Sequence, residues 1–469
     1  VYGHHAWRNG ADAEEQVRNV MDLGLLLRLL SMRRGLRKHE RWSADQIAAH
    51  QVNELRTLRR HAYTHSDFYR RFHAGFESKS LRELPVLTKS ELMSNFDNLV
   101  TDREVRLANV HAHLERLTGD ELFLGRYRVT RTAGSTGTPG IFLSDALEWA
   151  NILASYSRAQ EWAGIFAGVT GRTRLAVVSS RVPSHQSARV GASVDSRFIP
   201  VRRFDSTEPL PAIVAGLNEW QPDNLIAYAS MARILAEEQF AGRLRISPRA
   251  VMSASEVLTK ESREKIQRAW NCQPFNIYAA TETAGIASEC SRHRLHLFED
   301  LVIAEIVDEK NHRVPAGEFG AKLLVTVLFS RTQPLIRYEI SDRVMWSDER
   351  CDCGKRFALL GGIEGRAEDM LKLPSGSGGF VRIHPNVFHN ILEPLAVQAW
   401  QVIEEPNAIR VLLARPTGFV DTLRISSEIE RALEKEGALP RHIHIEPVEV
   451  VTKTALGKAP LVRALSKPI

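Results

Sequence analysis

Cysteine is scarce in this 469-residue chain; it occurs only at Cys272, Cys290, Cys351 and Cys353. A disulfide-built secreted scaffold needs far denser cysteine. Four thiols allow two disulfides, but in a chain this long the pattern reads as metal ligands or free thiols in a reducing cytoplasm. Long apolar runs are also missing. The clearest candidate, 21–30, is interrupted by Arg28 and followed by Arg33, Arg34, Arg37 and Lys38. A spanning helix needs ~20 apolar residues, so no transmembrane segment is expected. No small-residue cleavage site marks the run as a secretory leader. It reads as an amphipathic helix packed on the body, with a membrane-surface helix as the alternative. Charge of one sign does not dominate. The 62 Lys and Arg are dispersed among 56 Asp and Glu, for a formal net charge of +6. With no recognition motif for nucleic acid, this balance points instead to small anionic substrates. A Walker A loop, with its Gly-Lys-Ser/Thr ending, is absent, and no internal repeat is evident.

What is present is an ordinary globular balance, 43% hydrophobic and 25% charged. The length suits a large domain plus a smaller one, since single cores stop growing near ~250–300 residues. Residues up to about Phe76 carry helical spacing. Thr88 or Ser90 is placed to cap the helix that follows. From Tyr127 onward short β-rich runs, such as 174–178, 224–228 and 250–253, alternate with helical stretches, as in an α/β sheet domain. Residues 301–346 are strand-rich. Residues 374–379 read as a turn, and the last hundred residues suit a small α+β domain. The boundary falls near Glu368, giving units 1–367 and 368–469.

Five fragments carry chemistry. Thr132, Gly134, Ser135, Thr136 and Gly137 lie in a loop rich in glycine and hydroxyls. Glycine lets backbone N–H groups approach a phosphate, and hydroxyls add donors; a plain polar turn is the other reading. Thr281-Glu282 follows the strand-like run 275–278, and a carboxylate beside a triphosphate suits Mg²⁺. Asp342 offers two acceptor oxygens, enough for two adjacent hydroxyls. Arg366 and Lys458 each follow a glycine. Taken singly, Glu282, Arg366 and Lys458 are the kind of charges that usually face solvent. Cys290, His296, Cys351 and Cys353 form a further set of soft donors suited to a structural Zn²⁺, with His293 as a rival to His296 and reduced thiols as the alternative. Cys272 reads as a small core residue.

The order and spacing of these fragments resemble the adenylate-forming superfamily, and within it the phenylacetate-CoA ligase branch. The likeness runs from about His61 to Arg463 and includes 68–70, 84–89 and 296–300. It implies a large N-terminal adenylate-forming domain with α/β subdomains and a β-rich part, plus a small mobile α+β C-terminal domain. It implies that ATP activates a small aromatic carboxylic acid as an acyl-adenylate, followed by transfer to CoA. In this frame the 132–137 loop holds the phosphates, Tyr278 lines the adenine site and Thr281 contacts phosphate. Glu282 holds Mg²⁺, Asp342 grips the ribose, and Arg366 touches the nucleotide at the hinge. Glu256 matches a segment beside the adenine and acyl sites. Lys458, on the C-terminal unit, stabilises the charge that develops during adenylation. Tyr228, Ala229, Ser230, Ser253 and Ala280 are candidates for the acid pocket. The chain departs from the branch at Thr138, where lysine is usual, at 179–185, where a glycine-rich turn is usual, and at 373–385 after the hinge. The last two leave open a different acceptor: an amine, a hydroxyl or a carrier-protein thiol.

Overall fold

The computed structural model describes residues 23–132, 139–165, 173–193, 200–366, 371–376, 378–383, 386–392, 395–453, 459 and 461–464. Gly134, Ser135, Thr136, Gly137, Glu368 and Lys458 therefore lie outside the described residues. The expected helical start is present as Leu23–His39, Ala44–His65 and Asp67–Phe72. Ser43 caps the second helix in a reciprocal box with Gln46. Thr88, not Ser90, caps Lys89–Ser94, with Glu91 returning to its backbone N–H. Each box satisfies helix donors that would otherwise be orphaned. The first helix packs on the body through Leu25, which joins Trp149, Ile152 and Leu153 in one apolar cluster. Arg33 and Arg37 clasp Glu161 on the long helix Ala146–Trp162. Among the described residues no helix is long and apolar enough to cross a membrane.

Among the described residues nine strands share one sheet. In spatial order they are Asp342–Ser347, Leu359–Arg366, Leu295–Leu297, Ala284–Glu289, Phe275–Ala280, Ala250–Ala254, Asn224–Tyr228, Leu175–Ser179 and Val201–Asp205. The last five run parallel. The strand Leu175–Ser179 is buried along its whole length, as a strand covered on both faces must be. From Phe275–Ala280 outward the pairing becomes antiparallel. That strand is thus the seam between two halves of different physical character. The strand-rich stretch after residue 301 gives a three-stranded sheet of Val302–Val307, Lys322–Val327 and Tyr338–Ile340.

The C-terminal region has its own core. Trp400, Val411 and Leu413 from its sheet pack with Ile425, Ile429 and Leu433 from the helix Thr422–Lys435. The four-stranded sheet runs His442–Val448, Ala408–Pro416, Val397–Glu404, Val462–Arg463. The turn expected at 374–379 joins the hairpin Leu371–Pro374 and Phe380–Ile383. Gly378 and Gly379 take φ of 90° and 76° there, which L side chains resist.

One buried ion pair ties the N-terminal helices to the sheet. Arg158 donates to both Asp300 oxygens at 2.7 and 2.5 Å, and His39 Nδ1 lies 2.8 Å from the same carboxylate. Burial opposes ionisation of Asp300, but Arg158 and then His39 hold it well below the usual carboxylate range. Its stabilising contribution is therefore present above the unfolded pKa of ~3.9 and fades as pH falls toward the folded value. Asp300→Asn is expected to cost ~3–5 kcal/mol by denaturant unfolding near neutral pH, because it leaves the buried Arg158 charge with only Glu40 at 3.8 Å. The variant should also lose part of the wild type's acid sensitivity. A variant as stable as the wild type would contradict this.

Candidate active site

The C-terminal ends of the parallel strands form the rim where ligands bind in open α/β sheets. The seam strand ends there, and its register pairs Ala280 with Ala284, so Thr281, Glu282 and Thr283 form a tight connection on that rim. Ala284 follows with φ of 64°. Thr281 and Glu282 line a small cavity with Ser144, Glu148 and Gln333. Across from the connection, Tyr278 donates its phenol hydrogen to Asp342 Oδ2 at 2.7 Å, and both groups are buried. This bond joins the seam strand to the outermost antiparallel strand. Asp342 is also paired in register with Arg366, next to Gly365 with φ of 95°. A Cβ on Gly365 would meet Val257 at 3.0 Å, so glycine suits the position twice over.

Within the segment 337–342 only Asp342 belongs to this constellation. Arg337 pairs with Glu305, Tyr338 is buried in the core, and Glu339 accepts from Lys322 at 2.6 Å. Glu256 follows Ser255, whose φ is 65°, and accepts from the Ser230 backbone N–H at 2.8 Å. A carboxylate there complements the N-terminus of the helix Ala229–Phe240. Thr132 closes the neck of its loop. Its hydroxyl accepts from Gly140 N at 2.8 Å, while its own N–H donates to Gly140 O at 2.9 Å.

The flanks of the terminal Gly-Lys motif dock on the same rim. Lys453 Nζ donates to Ser206 O at 2.7 Å, and burial lowers its pKa. Ala459 N donates to Ser230 Oγ at 3.3 Å. Toward the other end of the helix Ala229–Phe240, Gln398 donates to Glu238 at 2.9 Å, which links the C-terminal sheet to that helix.

The cysteine set converges away from this rim. The ligand atoms of Cys290, His296, Cys351 and Cys353 lie within 4.8 Å of one another. His296 Nε2 lies 3.2 Å from Cys353 Sγ, and its Nδ1 is oriented by Phe357 O at 3.0 Å. His293 is not part of the cluster; it faces Glu289 at 3.2 Å and stacks near Phe275. Three sulfurs and one imidazole suit a tetrahedral soft-metal site. Such a site would pin the loop before Leu359–Arg366 to the turn after Ala284–Glu289. Cys272 is half-buried and contacts Pro248 O.

Glu148 was not singled out by motif. It is 3% exposed and accepts from Asp145 N at 2.7 Å, Arg331 N at 2.5 Å, Thr332 N at 2.8 Å and Thr332 Oγ1 at 2.6 Å. The available signal was Asp145-x-x-Glu148 before an apolar run, a capping box. Burial raises the Glu148 pKa, and the nearby Asp145 charge adds to this.

No family model matches the chain. The phenylacetate-coenzyme A ligase of Thermus thermophilus is 26% identical over 425 residues, covering 84% of this chain and 83% of that protein. The Escherichia coli enzyme of the same name is 28% identical over 419 residues, covering 83% and 84%. Protein CapK of Staphylococcus aureus is 25% identical over 285 residues, covering 58% of this chain and 55% of that protein. Among solved structures, a 2-hydroxyisobutyryl-CoA ligase in the postadenylation state superposes with a TM-score of 0.71 at 18% identity, over 92% of this chain and 91% of that one. The fold is thus that of adenylate-forming ligases. In sequence the chain is similar to phenylacetate-coenzyme A ligases over most of its length.

Glu148→Gln places an amide nitrogen against backbone donors that now meet oxygen. It should cost ~1–3 kcal/mol in denaturant unfolding, the scale of one buried unsatisfied group. A neutral effect would mean that Glu148 does not organise the Arg331–Thr332 turn.

Proposed function

We propose that this protein is an AMP-forming acid-CoA ligase. A small carboxylic acid attacks the α-phosphate of ATP, giving acyl-adenylate and releasing pyrophosphate. The CoA thiol then displaces AMP, giving the thioester. The observation that carries this reading is the buried Tyr278–Asp342 bond standing beside Thr281-Glu282 on the rim of the sheet, in a chain whose relatives are phenylacetate-CoA ligases.

The candidate residues divide the work among them. Asp342, held by the Tyr278 phenol, accepts from the ribose hydroxyls. Thr281 donates to phosphate. The Glu282 carboxylate, facing a cavity with Ser144 and Gln333, suits a hard cation. Glu282 would hold Mg²⁺, which when bound offsets phosphate charge. Arg366 contacts the nucleotide, and Glu256 fixes the wall next to Ser230. The loop containing Gly134, Ser135, Thr136 and Gly137 supplies donors to the phosphates, with Thr132 at its neck. Lys458 supplies an ammonium to the charge that builds during adenylation. The docking of Lys453 and Ala459 on the rim supports this, because both lie within five residues of Lys458. The 368–469 unit then moves about Glu368 for the second half-reaction. The acceptor is CoA; an amine, hydroxyl or carrier-protein thiol is the alternative raised by the departures at 179–185 and 373–385.

The test is pyrophosphate release across a panel of acids, with product mass measured with and without CoA. Release that depends on an acid, followed by a CoA thioester, is expected. Release without a thioester moves the chain to the alternative acceptor, and no release with any acid overturns the reading. Lys458→Ala should slow adenylation by on the order of 10²-fold or more, the scale of one transition-state donor, yet still convert supplied acyl-adenylate. Glu282→Gln and Asp342→Ala should raise the ATP requirement, and unchanged ATP kinetics in both would contradict the assigned roles.

The Cys290–His296–Cys351–Cys353 set would hold Zn²⁺ in a structural role, since no position is left open for substrate. Purified protein should carry about one zinc. Chelation should lower the melting temperature and reduce both half-reactions in proportion to unfolding. Carefully prepared protein that is free of zinc would contradict the assignment.

A further inference from the structure

The strand Ile141–Ser144 leaves the neck formed by Thr132 and Gly140 and contributes Phe142, Leu143 and Ser144 to the cavity that Thr281 and Glu282 line. Among the described residues it pairs with one neighbouring strand, Arg128–Arg131. Its other edge presents the Ile141 carbonyl and the Leu143 N–H, and both residues are buried, so these groups need partners from elsewhere. One side chain takes both. Gln333 Nε2 donates to Ile141 O at 3.1 Å, and Gln333 Oε1 accepts from Leu143 N at 3.1 Å. A carbonyl can only accept and a backbone N–H can only donate, so the two partners fix which end of the amide is oxygen. Gln333, itself 2% exposed, stands in for a third strand.

The turn that carries Gln333 is bonded from several sides. Glu148 takes the N–H groups of Arg331 and Thr332. Thr101 Oγ1 donates to Arg331 O at 3.0 Å, and Thr101 N donates to Thr332 O at 3.0 Å. Ser330 Oγ donates to Gln333 O at 2.6 Å. Tyr69, fully buried, donates to Pro334 O at 2.8 Å and accepts from Ile336 N at 3.2 Å. A buried network with its partners in place is rigid, so it holds the Gln333 side chain in one place. Gln333 also lines the Glu282 cavity, and its segment runs on to Asp342 nine residues later. The amide therefore joins the strand that begins at the Thr132–Gly140 neck to the segment that leads to Asp342, at the level of Glu282.

We infer that Gln333 is a positioning residue for nucleotide binding, setting the distance between the strand that leaves the phosphate loop and the Thr281–Glu282 connection. This rests on the nucleotide roles proposed above. A phosphate chain held by loop donors on one side and by a metal at Glu282 on the other needs both supports at one separation, and a displacement of about 1 Å in such a constellation costs on the order of 10²-fold. Gln333 touches neither the nucleotide nor the metal in this arrangement; it acts through Ile141 and Leu143. The acid-pocket candidates Tyr228 and Ser253 stand on other strands, so acid binding does not share this dependence.

The test is Gln333→Met, which keeps the side chain's length and removes both bonds. KM for Mg·ATP and KM for the acid are read separately from pyrophosphate release by the full chain. KM for Mg·ATP should rise by roughly tenfold or more, while KM for the acid stays within roughly twofold, because the lost hydrogen bonds serve the nucleotide side alone. Gln333→Met leaves Ile141 O and Leu143 N unpaired, which also lowers stability. Gln333→Ala instead leaves room for water, which pairs both groups without fixing their place. It should fold and show the same selective rise. The split between the two KM values is the informative quantity, because a general loss of folded protein lowers the rate and moves neither KM. An unchanged KM for Mg·ATP, or equal rises in both KM values, overturns the inference alone. Failure of both variants to fold also overturns it, since Gln333 would then serve the fold as a whole. A wild type that releases no pyrophosphate with any acid overturns the underlying reaction and this inference with it.

Discussion

The Tyr278–Asp342 hydrogen bond is the constraint on which the site depends. Its two ends come from opposite halves of one sheet. Tyr278 lies on the last parallel strand, and Asp342 opens the outermost antiparallel one. Two chain segments 64 residues apart are thereby held at a fixed spacing. The same seam strand delivers Thr281 and Glu282 to the rim, because its turn to Ala284 is too short to wander. The carboxylates proposed to meet ribose and metal thus share one rigid support, as pre-organised catalysis requires.

The structural parts around this seam keep it from slipping. Asp300, clamped by Arg158 and His39, ties the N-terminal helices to the segment after Leu295–Leu297. The cysteine–histidine cluster gathers the turn after Ala284–Glu289 and the loop before Leu359–Arg366. Glu148 collects backbone donors from 331–332 beneath the Glu282 cavity. Asp300 and Glu148 are buried carboxylates with their partners in place, and such networks specify geometry more than they add net stability.

Much of this was legible in the sequence, and the reasons differ by residue. Asn224–Tyr228 reads as a strand because its β-prone residues lie between turn signals, and the structure has the same limits. Thr88 was recognisable as a cap, but only the reciprocal bond from Glu91 separated it from Ser90. Neither cysteine nor histidine spacing could choose between His296 and His293; the choice came from strand direction, which turns His296 toward Cys353. Arg337 stands five residues before Asp342, yet it serves Glu305. The local pattern at Glu148 encodes only its capping bond from Asp145; its other backbone donors lie 183 and 184 residues away, which no local pattern encodes. The polar turn at 179–185 was visible as a departure, but its contact with Tyr228 depends on sheet order.

The central claim is reversible adenylation at this seam, and acid-dependent exchange of labelled pyrophosphate into ATP tests it most directly. That exchange reports formation and reversal of acyl-adenylate with no acceptor present. The account predicts exchange in the wild type that requires both the acid and Mg²⁺ and is strongly reduced in Asp342→Ala. Exchange that proceeds without an acid, or at the wild-type rate in Asp342→Ala, would contradict it.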